Sequence, residues 1–338
     1  MQKWKAVVLV VSLLLIAVLM IPSLLVLPFT GQVSGKLNER TKEQDLLVLL
    51  EEASAVEVSV YRSAKDEVEQ IPLEKYVLGV VASEMPVEFE EEALKAQALS
   101  ARTEIVRHLL SDTEIGLLKG ADIGDSEQFQ VFKNEAELKK QWGLNYQKNI
   151  EKISQAVYAT RGQIITYENK PITAAYFSTS NGFTENSEAY WTTPYPYLKS
   201  VESPWDIESP KFQHQVAIPV EEFEEKLGVQ LKDGQVGEIV ARTPGNRVAK
   251  VKIGDKEWTG REIRDMFGLR SADFTWERAG DEIIITTKGY GHGIGMSQYG
   301  ANGMAKEGKT YEEIIKYFYQ GVEIQDASQF LNTQLAKE

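Results

Sequence analysis

Glu84 is the carboxylate whose sequence context differs most from that of a solvated surface residue. It closes a run in which Leu73, Val77 and Val80 recur at the three- and four-residue spacing of one apolar helix face. Eleven positions separate Leu73 from Glu84, which at ~3.6 residues per turn is about three turns with roughly 20° left over. Glu84 therefore continues the apolar stripe just where Pro86 should end the helix.

An apolar environment and the negative end of a helix dipole both disfavour the charged form of this carboxyl. Both raise its pKa, and a raised pKa suits a general acid that works near neutral pH. By contrast, Glu88 and the acids at 90–92 occupy a loop and a helix start, where carboxylates face water. Two interpretations of Glu84 fit: a catalytic acid, or a helix-end glutamate paired with a basic group.

Arg102 lies on a second helix, predicted from about Glu88 to Leu110, four residues after Ala98 of its buried stripe. A guanidinium beside an apolar stripe needs a partner. It lies roughly 20 Å along the helix from the helix start at ~1.5 Å per residue, so a simple hairpin does not bring it to Glu84. A structural ion pair and a contact with a substrate carboxylate or sugar both fit this position.

Residues 176–206 are rich in hydroxyls, amides and aromatic rings. Short polar side chains can meet the hydroxyl and N-acetyl groups of a sugar, and flat rings can meet its apolar C–H faces. The alternative is a turn shaped by the polar residues 178–181, with the rings packed in the core. The rings considered are Trp191, Tyr195, Tyr197 and Trp205.

Five glycines surround one histidine in GYGHGIGMSQYGA, residues 289–301. Glycines allow positive φ and close approach of backbone amides, but the lysine and hydroxyl spacing of a phosphate loop is absent. The other histidines, His108 and His214, have no carboxylate at motif spacing, so we predict no metal and no cofactor. His292 then either lies beside a groove, orienting Glu84 or a sugar, or is a core histidine satisfied by backbone groups.

The run PLEKYVLGVVASEMP, followed by EALKAQALSART, resembles the first signature of the stage II sporulation protein D family, and the glycine-rich segment resembles the second. With the segment between them, the signatures span roughly residues 56–324. The family cleaves peptidoglycan, in many cases as lytic transglycosylases. The resemblance implies that Glu84 of the SEMP segment is the catalytic acid, that Arg102 is needed for activity, and that Lys199 contacts substrate.

The resemblance therefore implies a lytic transglycosylase that cleaves the MurNAc–GlcNAc bond of peptide-stripped glycan strands and leaves 1,6-anhydroMurNAc ends. It also implies that the protein acts in engulfment during sporulation. The implied partners are an amidase and membrane proteins of the engulfment machinery. A non-catalytic wall-binding enhancer of an N-acetylmuramoyl-L-alanine amidase is the alternative. Hydrolysis is a third possibility, and would need a second carboxylate such as Glu185, Glu188 or Asp206. The residues predicted to bind substrate are Arg102, Tyr176, Ser178, Thr179, Ser180, Lys199, His292, Ser297 and Gln298.

The cysteine content and the net charge exclude some kinds of site and of partner. The 338 residues include no cysteine and carry a net charge of −13, which excludes disulfides and thiolate metal sites and argues against nucleic-acid binding. Near an anionic cell wall, so acidic a protein would need a local basic groove.

An apolar stretch over residues 6–29 follows Lys3 and Lys5. It is long enough to span a bilayer, and the basic residues before it favour a cytoplasmic N-terminus. We predict an uncleaved signal anchor in the cell membrane, with a cleaved signal peptide as the alternative. Residues 30–54 should form a tether that can be partly helical at its leucine-rich piece, residues 46–50. Residues 55–330 should form one extracytoplasmic catalytic domain.

The elements expected around these residues are mixed helices and antiparallel strands, which gives an α+β fold. Residues 111–147 look like a surface excursion around one short helix. The other predicted elements are a first strand at 56–61, a helix at 149–159, a hairpin of 163–167 with 172–177, a helix at 218–227, a hairpin within 237–253, a helix capped by Thr259, a strand at 283–287, a helix from about Ser297, and a helix with a capping box at Thr310 and Glu313.

Overall fold

The computed structural model describes residues 46–52, 56–111, 118–191, 193–232 and 234–335. Residues 46–52 are helical. The helices that follow are α1 (Leu73–Glu84), α2 (Glu91–Leu109), α3 (Glu135–Trp142), α4 (Tyr146–Ala159), α5 (Val220–Leu227), α6 (Gly260–Phe267), α7 (Gln298–Lys306), α8 (Tyr311–Phe318) and α9 (Ser328–Leu335).

Fourteen short strands accompany the helices. They are β1 (Glu57–Arg62), β2 (Glu67–Pro72), β3 (Ile123–Gly124), β4 (Gln163–Tyr167), β5 (Lys170–Pro171), β6 (Tyr176–Phe177), β7 (Gln213–Pro219), β8 (Glu238–Arg242), β9 (Val248–Ile253), β10 (Lys256–Thr259), β11 (Phe274–Ala279), β12 (Glu282–Lys288), β13 (Met296–Ser297) and β14 (Glu323–Asp326). They form five small sheets with the orders β2-β1-β3, β10-β9-β8, β11-β12-β7, β13-β6 and β14-β4-β5. The pairings are antiparallel except for β1 with β3 and β6 with β13. This mixture confirms the α+β class.

The main core forms around α2, which contacts α1, α4, α7, α8 and β4. Its predicted stripe is Leu94, Ala98, Ala101, Ile105 and Leu109. The first four are fully buried, which confirms the stripe there, whereas Leu109 at its end is only partly buried. The alanines let the neighbouring helices approach closely. A smaller core, built from β7 to β12 with α5 and α6, centres on Phe223 and packs separately.

The prediction that residues 111–147 form a surface excursion is wrong for the part the structure describes. Strand β3 pairs with β1 inside this segment, and Gln130 and Phe132 are buried. Phe132 stacks on Tyr76 of α1 with ring centroids 5.4 Å apart, and Gly79 leaves room for that ring because a Cβ there would collide with it. Isolated buried residues produce no periodic pattern, so the sequence gives no sign that this segment packs against the core.

Two other predictions need correction. The hairpin partner of β4 is only Lys170–Pro171, while Tyr176–Phe177 pairs in parallel with β13 instead. Ile218 lies in β7 rather than in a helix, because α5 begins at Val220 after Pro219. The described part of the predicted tether, residues 46–52, is helical, as its leucine-rich piece allows, and Leu50 is fully buried.

Most other local predictions are confirmed. Thr259 and Thr310 cap α6 and α8 through capping boxes, and Ser297 caps α7. The α4 helix buries its predicted face, and the hairpin within 237–253 forms from β8 and β9. Among the described residues, no helix has the length and apolarity to cross a bilayer. The apolar stretch 6–29 lies outside those residues.

Arg102 joins α1 to α2 through a buried ion pair with Glu74. Its Nε donates to Glu74 Oε1 at 2.9 Å and its Nη2 to Oε2 at 2.7 Å. The same guanidinium donates to the backbone oxygens of Gln163 and Val157 at 3.2 and 3.4 Å. With no exposed surface, Arg102 ties together α1, α2, α4 and β4.

We predict that Arg102→Met lowers the free energy of unfolding by about 3–5 kcal/mol, because it leaves the Glu74 carboxylate buried without a countercharge. Chemical denaturation at pH 7 measures the loss. The matched control is Arg107→Met, on the same helix, whose ion pair with Glu104 is partly exposed and should contribute less than about 1 kcal/mol. A fully stable Arg102→Met protein that has lost activity would instead support a substrate role.

Candidate active site

Glu84 is the last residue of α1, and three other segments surround it. Met85 adopts an extended conformation before Pro86, which ends the helix as predicted. Glu84 Oε1 accepts a hydrogen bond from the Val131 backbone N–H at 2.8 Å. The Gln298 side chain donates to the Glu84 backbone oxygen at 3.1 Å. The carboxyl is therefore held by the backbone of Val131, and the end of α1 that carries it is bonded to the start of α7.

Burial is the main cause that raises the pKa of Glu84 above its ordinary value. The Val131 N–H lowers the pKa, the negative charge of Glu127 raises it, and the Tyr176 hydroxyl lowers it, but the net shift is upward. The predicted direction is confirmed. Glu84 thus carries a proton at a higher pH than an exposed glutamate would, as a general acid requires.

Tyr176 faces this carboxyl from β6. Its hydroxyl is buried without a hydrogen-bond partner among the described residues, yet it is close enough to Glu84 to lower the pKa of that carboxyl. Burial and the charge of Glu84 raise the pKa of Tyr176 well above its usual range. The phenol therefore stays neutral and can donate a hydrogen bond to Glu84 or to a substrate oxygen.

His292 lies beside the same cavity in an aromatic cluster. Its ring centroid is 5.7 Å from that of Phe177, 5.9 Å from Tyr190 and 5.6 Å from Trp191. Its Nδ1 accepts the Ile294 N–H at 3.0 Å. Burial, followed by nearby arginine charges, lowers the pKa of His292 to about 3, while a hydrogen bond to the Tyr176 backbone acts in the opposite direction. His292 is therefore neutral at physiological pH and supports the backbone of Tyr176.

Two pockets meet at Glu84. The first, called here the aromatic pocket, has a volume of about 510 Å³. The second, called the amide pocket, has a volume of about 480 Å³. Glu84 and Lys211 line both. The aromatic pocket is defined by Tyr176, Phe177, Trp191, Tyr290 and His292, and the amide pocket by Gln141, Trp142, Asn145 and Asn149.

The predicted site residues fall into two groups. Tyr176, Ser178, His292 and Gln298 line the aromatic pocket with Glu84, as does Trp191, whereas Tyr195, Tyr197 and Trp205 are not among its lining residues. The second group consists of Arg102, Thr179, Ser180, Lys199 and Ser297, none of which is among the lining residues of either pocket.

Three of the predicted binding residues lie in a buried polar network instead. The Asp206 carboxylate accepts hydrogen bonds from the Ser180 and Ser297 hydroxyls at 2.9 and 2.5 Å. Thr179 bonds to the Ser209 hydroxyl at 2.9 Å. All of these side chains are buried, so their contacts favour the structural alternative, in which they shape the loop that carries Ser178.

Lys199 also has a partner within the protein. Its ammonium pairs with Glu188 at 2.9 Å, with 39% of each side chain exposed. Arg102, described above, is engaged in the core. For both residues the contacts favour the structural or surface alternative over direct contact with a substrate in this groove.

Apart from Glu84, the acidic side chains that line the aromatic pocket are not the ones considered from sequence as a second carboxylate. Glu104 of α2 and the exposed Glu127 lie there with Glu84, whereas Glu185, Glu188 and Asp206 are absent from its lining. Glu104 accepts the Ala174 N–H at 3.2 Å and pairs with Arg107. Sequence reasoning missed Glu127 because it belongs to the segment taken for a surface excursion.

No group of three or more metal-binding side chains occurs within the described parts of the chain. A further cavity of about 550 Å³ lies between residues 46–52 and helices α1, α3 and α4. It contains neither Glu84 nor any residue of the glycine-rich segment. The groove formed by the aromatic and amide pockets is therefore the candidate active site.

Comparison with known proteins identifies relatives of this chain. A family described as "Stage II sporulation protein" matches residues 61–167. The chain is 52% identical to stage II sporulation protein D of Bacillus amyloliquefaciens, over 99% of this chain and 100% of that protein. It is also 52% identical to stage II sporulation protein D of Bacillus subtilis strain 168, over 97% of this chain and 98% of that protein. A Bacillus subtilis protein named amidase enhancer is 29% identical over 72% of this chain and 39% of its own length.

We predict that Tyr176→Phe raises the pKa of Glu84 further, because it removes a hydroxyl that lowers this pKa. A general acid is active in its protonated form, so the alkaline limb of the pH–rate profile should move to higher pH. The profile of kcat/KM on purified glycan strands measures the shift. An unmoved limb, or one that moves to lower pH, would show that the phenol does not act on Glu84.

Proposed function

Because the chain belongs to the stage II sporulation protein D family, we propose that it is a peptidoglycan lytic transglycosylase that acts in sporulation. It would cleave the bond between N-acetylmuramic acid and N-acetylglucosamine in glycan strands. The observation that carries the proposal is the place of Glu84, a partly buried carboxyl with a raised pKa at the junction of two pockets. A polymer chain could occupy both pockets, with the bond to be cleaved beside the acid.

The proposed reaction needs one residue as acid and then as base. Protonated Glu84 gives its proton to the bridging oxygen, and the bond from C1 of the muramic acid to that oxygen breaks through an oxocarbenium-like state. The muramyl 6-hydroxyl then attacks C1 and returns its proton to the Glu84 carboxylate. The products are a 1,6-anhydromuramyl end and a free 4-hydroxyl on N-acetylglucosamine. The Val131 N–H holds the carboxyl through both steps, and the Tyr176 hydroxyl, which has no other partner among the described residues, is available to donate to it.

Hydrolysis would need a second carboxylate to activate water or to attack C1. Glu104 and Glu127 are the additional carboxylates in the aromatic pocket. Glu104 is engaged by Arg107 and by the Ala174 N–H, and Glu127 is exposed to solvent. Neither has an environment tuned like that of Glu84, so we favour the intramolecular hydroxyl as the nucleophile.

We predict that Glu84→Gln abolishes glycan cleavage and that the native enzyme yields anhydro ends. The amide keeps the size of the side chain and an acceptor for Val131 but has no proton to transfer. Mass spectrometry of products from purified sacculi should give fragments lighter than hydrolytic ones by one water. Borohydride-reducible ends, or oxygen incorporated from labelled water, would show hydrolysis. An active Glu84→Gln enzyme would remove Glu84 from the mechanism.

The folded state of Glu84→Gln provides the control for this test. The pKa of Glu84 is raised in the folded protein, so keeping its charged form buried costs stability once the pH exceeds that pKa. Below the ordinary pKa of glutamate the carboxyl is protonated in both states and the cost disappears. The variant should therefore be at least as stable as the native protein at pH 7, with the difference shrinking as the pH falls. Thermal unfolding at several pH values measures this.

A second candidate function comes from the relative named amidase enhancer. In that case the groove would bind wall glycan without cleaving it, and an N-acetylmuramoyl-L-alanine amidase would be the partner. The Glu84→Gln variant separates the two functions. Two results together would favour the enhancer. The native protein would release no glycan fragments, and the Glu84→Gln variant would still stimulate the amidase.

We further propose that residues 6–29 anchor the protein in the cell membrane, with the groove on the extracytoplasmic side. We predict that deletion of residues 1–29 gives a soluble, folded protein that cleaves isolated glycan but is lost from the membrane fraction of sporulating cells. Fractionation and a cleavage assay measure the two properties. A truncated chain that fails to fold would show that the segment belongs to the core.

A further inference from the structure

Lys211 is placed where both pockets meet, opposite the acidic side chains of the groove. Among the described lining residues it is the single lysine or arginine of the aromatic pocket and of the amide pocket. Its ammonium lies 3.5 Å from the Ser178 hydroxyl and 5.3 Å from the centre of the Tyr290 ring. Within the described chain, no carboxylate lies at ion-pair distance from it. Lys211 therefore has a charge that the protein itself does not neutralise by direct contact.

The backbone around Lys211 is fixed rather than loose. The Lys211 N–H donates to the Ser209 hydroxyl at 3.1 Å, and that hydroxyl bonds to Thr179. The next carbonyl, of Phe212, accepts the Gly289 N–H at 2.7 Å. The lysine is thus anchored to both the hydroxyl-rich block and the glycine-rich segment, so its ammonium is directed into the groove by the same elements that position Tyr176 and His292.

The charge balance of the groove indicates what this lysine could bind. Glu84, Glu104 and Glu127 line the aromatic pocket, and Glu88 lines the amide pocket. In a protein of net charge −13, an anionic substrate would be repelled unless a local cation offset the repulsion. One half-buried lysine between the pockets can do this for one anionic group located beside the bond to be cleaved.

We propose that Lys211 binds the carboxylate of the lactyl ether on the muramic acid unit next to the scissile bond. This inference rests on the proposed function. The lactyl carboxyl is an uncharged amide while it carries a stem peptide, and it becomes an anion when that peptide is removed. Lys211 would then make the enzyme distinguish the two forms of the same sugar by charge.

The test compares three glycan preparations of equal length. The first carries free lactyl carboxylates, the second has those carboxylates converted to neutral methylamides, and the third retains its stem peptides. We expect native kcat/KM to be about tenfold higher on the first than on the second, as for loss of one charge-assisted contact. In Lys211→Met this preference should disappear. The matched control, Lys170→Met, removes an exposed lysine on β5 and should keep the preference.

Other outcomes would overturn the proposal. Equal losses on charged and neutral glycan in Lys211→Met would show a general structural role. Preference for peptide-bearing strands that depends on Lys211 would show that a peptide carboxylate is the ligand. Restoration of the preference by Lys211→Arg supports the proposal, because the arginine returns the positive charge and not the shape of lysine.

A binding measurement tests the role of Lys211 independently of whether the protein cleaves glycan. Calorimetric titration of a peptide-free muramyl tetrasaccharide into Glu84→Gln and into the double variant with Lys211→Met needs no cleavage. A Kd about tenfold weaker in the double variant supports the role of Lys211 even if the native protein cleaves nothing. An equal Kd, with native cleavage intact, refutes the role of Lys211 while the proposed function stands.

Discussion

The buried ion pair between Arg102 and Glu74 is the constraint on which the rest of the site depends. Taking both charges out of water is costly, and only the close two-point contact and the added backbone acceptors offset that cost. These requirements leave α1 and α2 a single relative position. Since Glu84 ends α1, the location of the acid follows from the contact that Glu74 makes near the start of the same helix. A residue that fixes the position of the acid can therefore lie wholly inside the core.

The second half of the site depends on how closely two backbones approach. Strand β6 pairs with β13, and a Cβ at Gly291 or Gly295 would collide with Phe177 or with the Ala175 backbone. Both glycines also have positive φ, at 117° and 77°, where other residues are strained. The glycines thus let the segment around His292 lie against Tyr176. In this way two segments far apart in sequence place a neutral phenol beside Glu84.

Sequence reasoning succeeded where the signal is local. The helix end at Glu84, the capping boxes and the raised pKa of Glu84 all follow from neighbouring residues, and the structure confirms them. It failed where contacts join distant segments. Nothing near Val131 or Glu127 shows that their segment returns to α1, and the hydroxyl block gives no sign that Ser180 and Ser297 bond to Asp206. A polar residue suited to a sugar is equally suited to a buried network, and only the fold decides between them.

The electrostatics of the groove must satisfy two opposing demands. A general acid benefits from nearby negative charge, which keeps its proton on, and Glu127 raises the pKa of Glu84 in this way. An anionic glycan needs positive charge, but a cation against the carboxyl would draw the proton off. In the structure, different groups meet these two demands. Burial and Glu127 act on the acid, while the ammonium of Lys211 is held toward Ser178 and the Tyr290 ring. One groove can then keep its acid protonated and still accept an anion, because the ammonium lies beside Ser178 and the Tyr290 ring and makes no ion pair with the carboxyl.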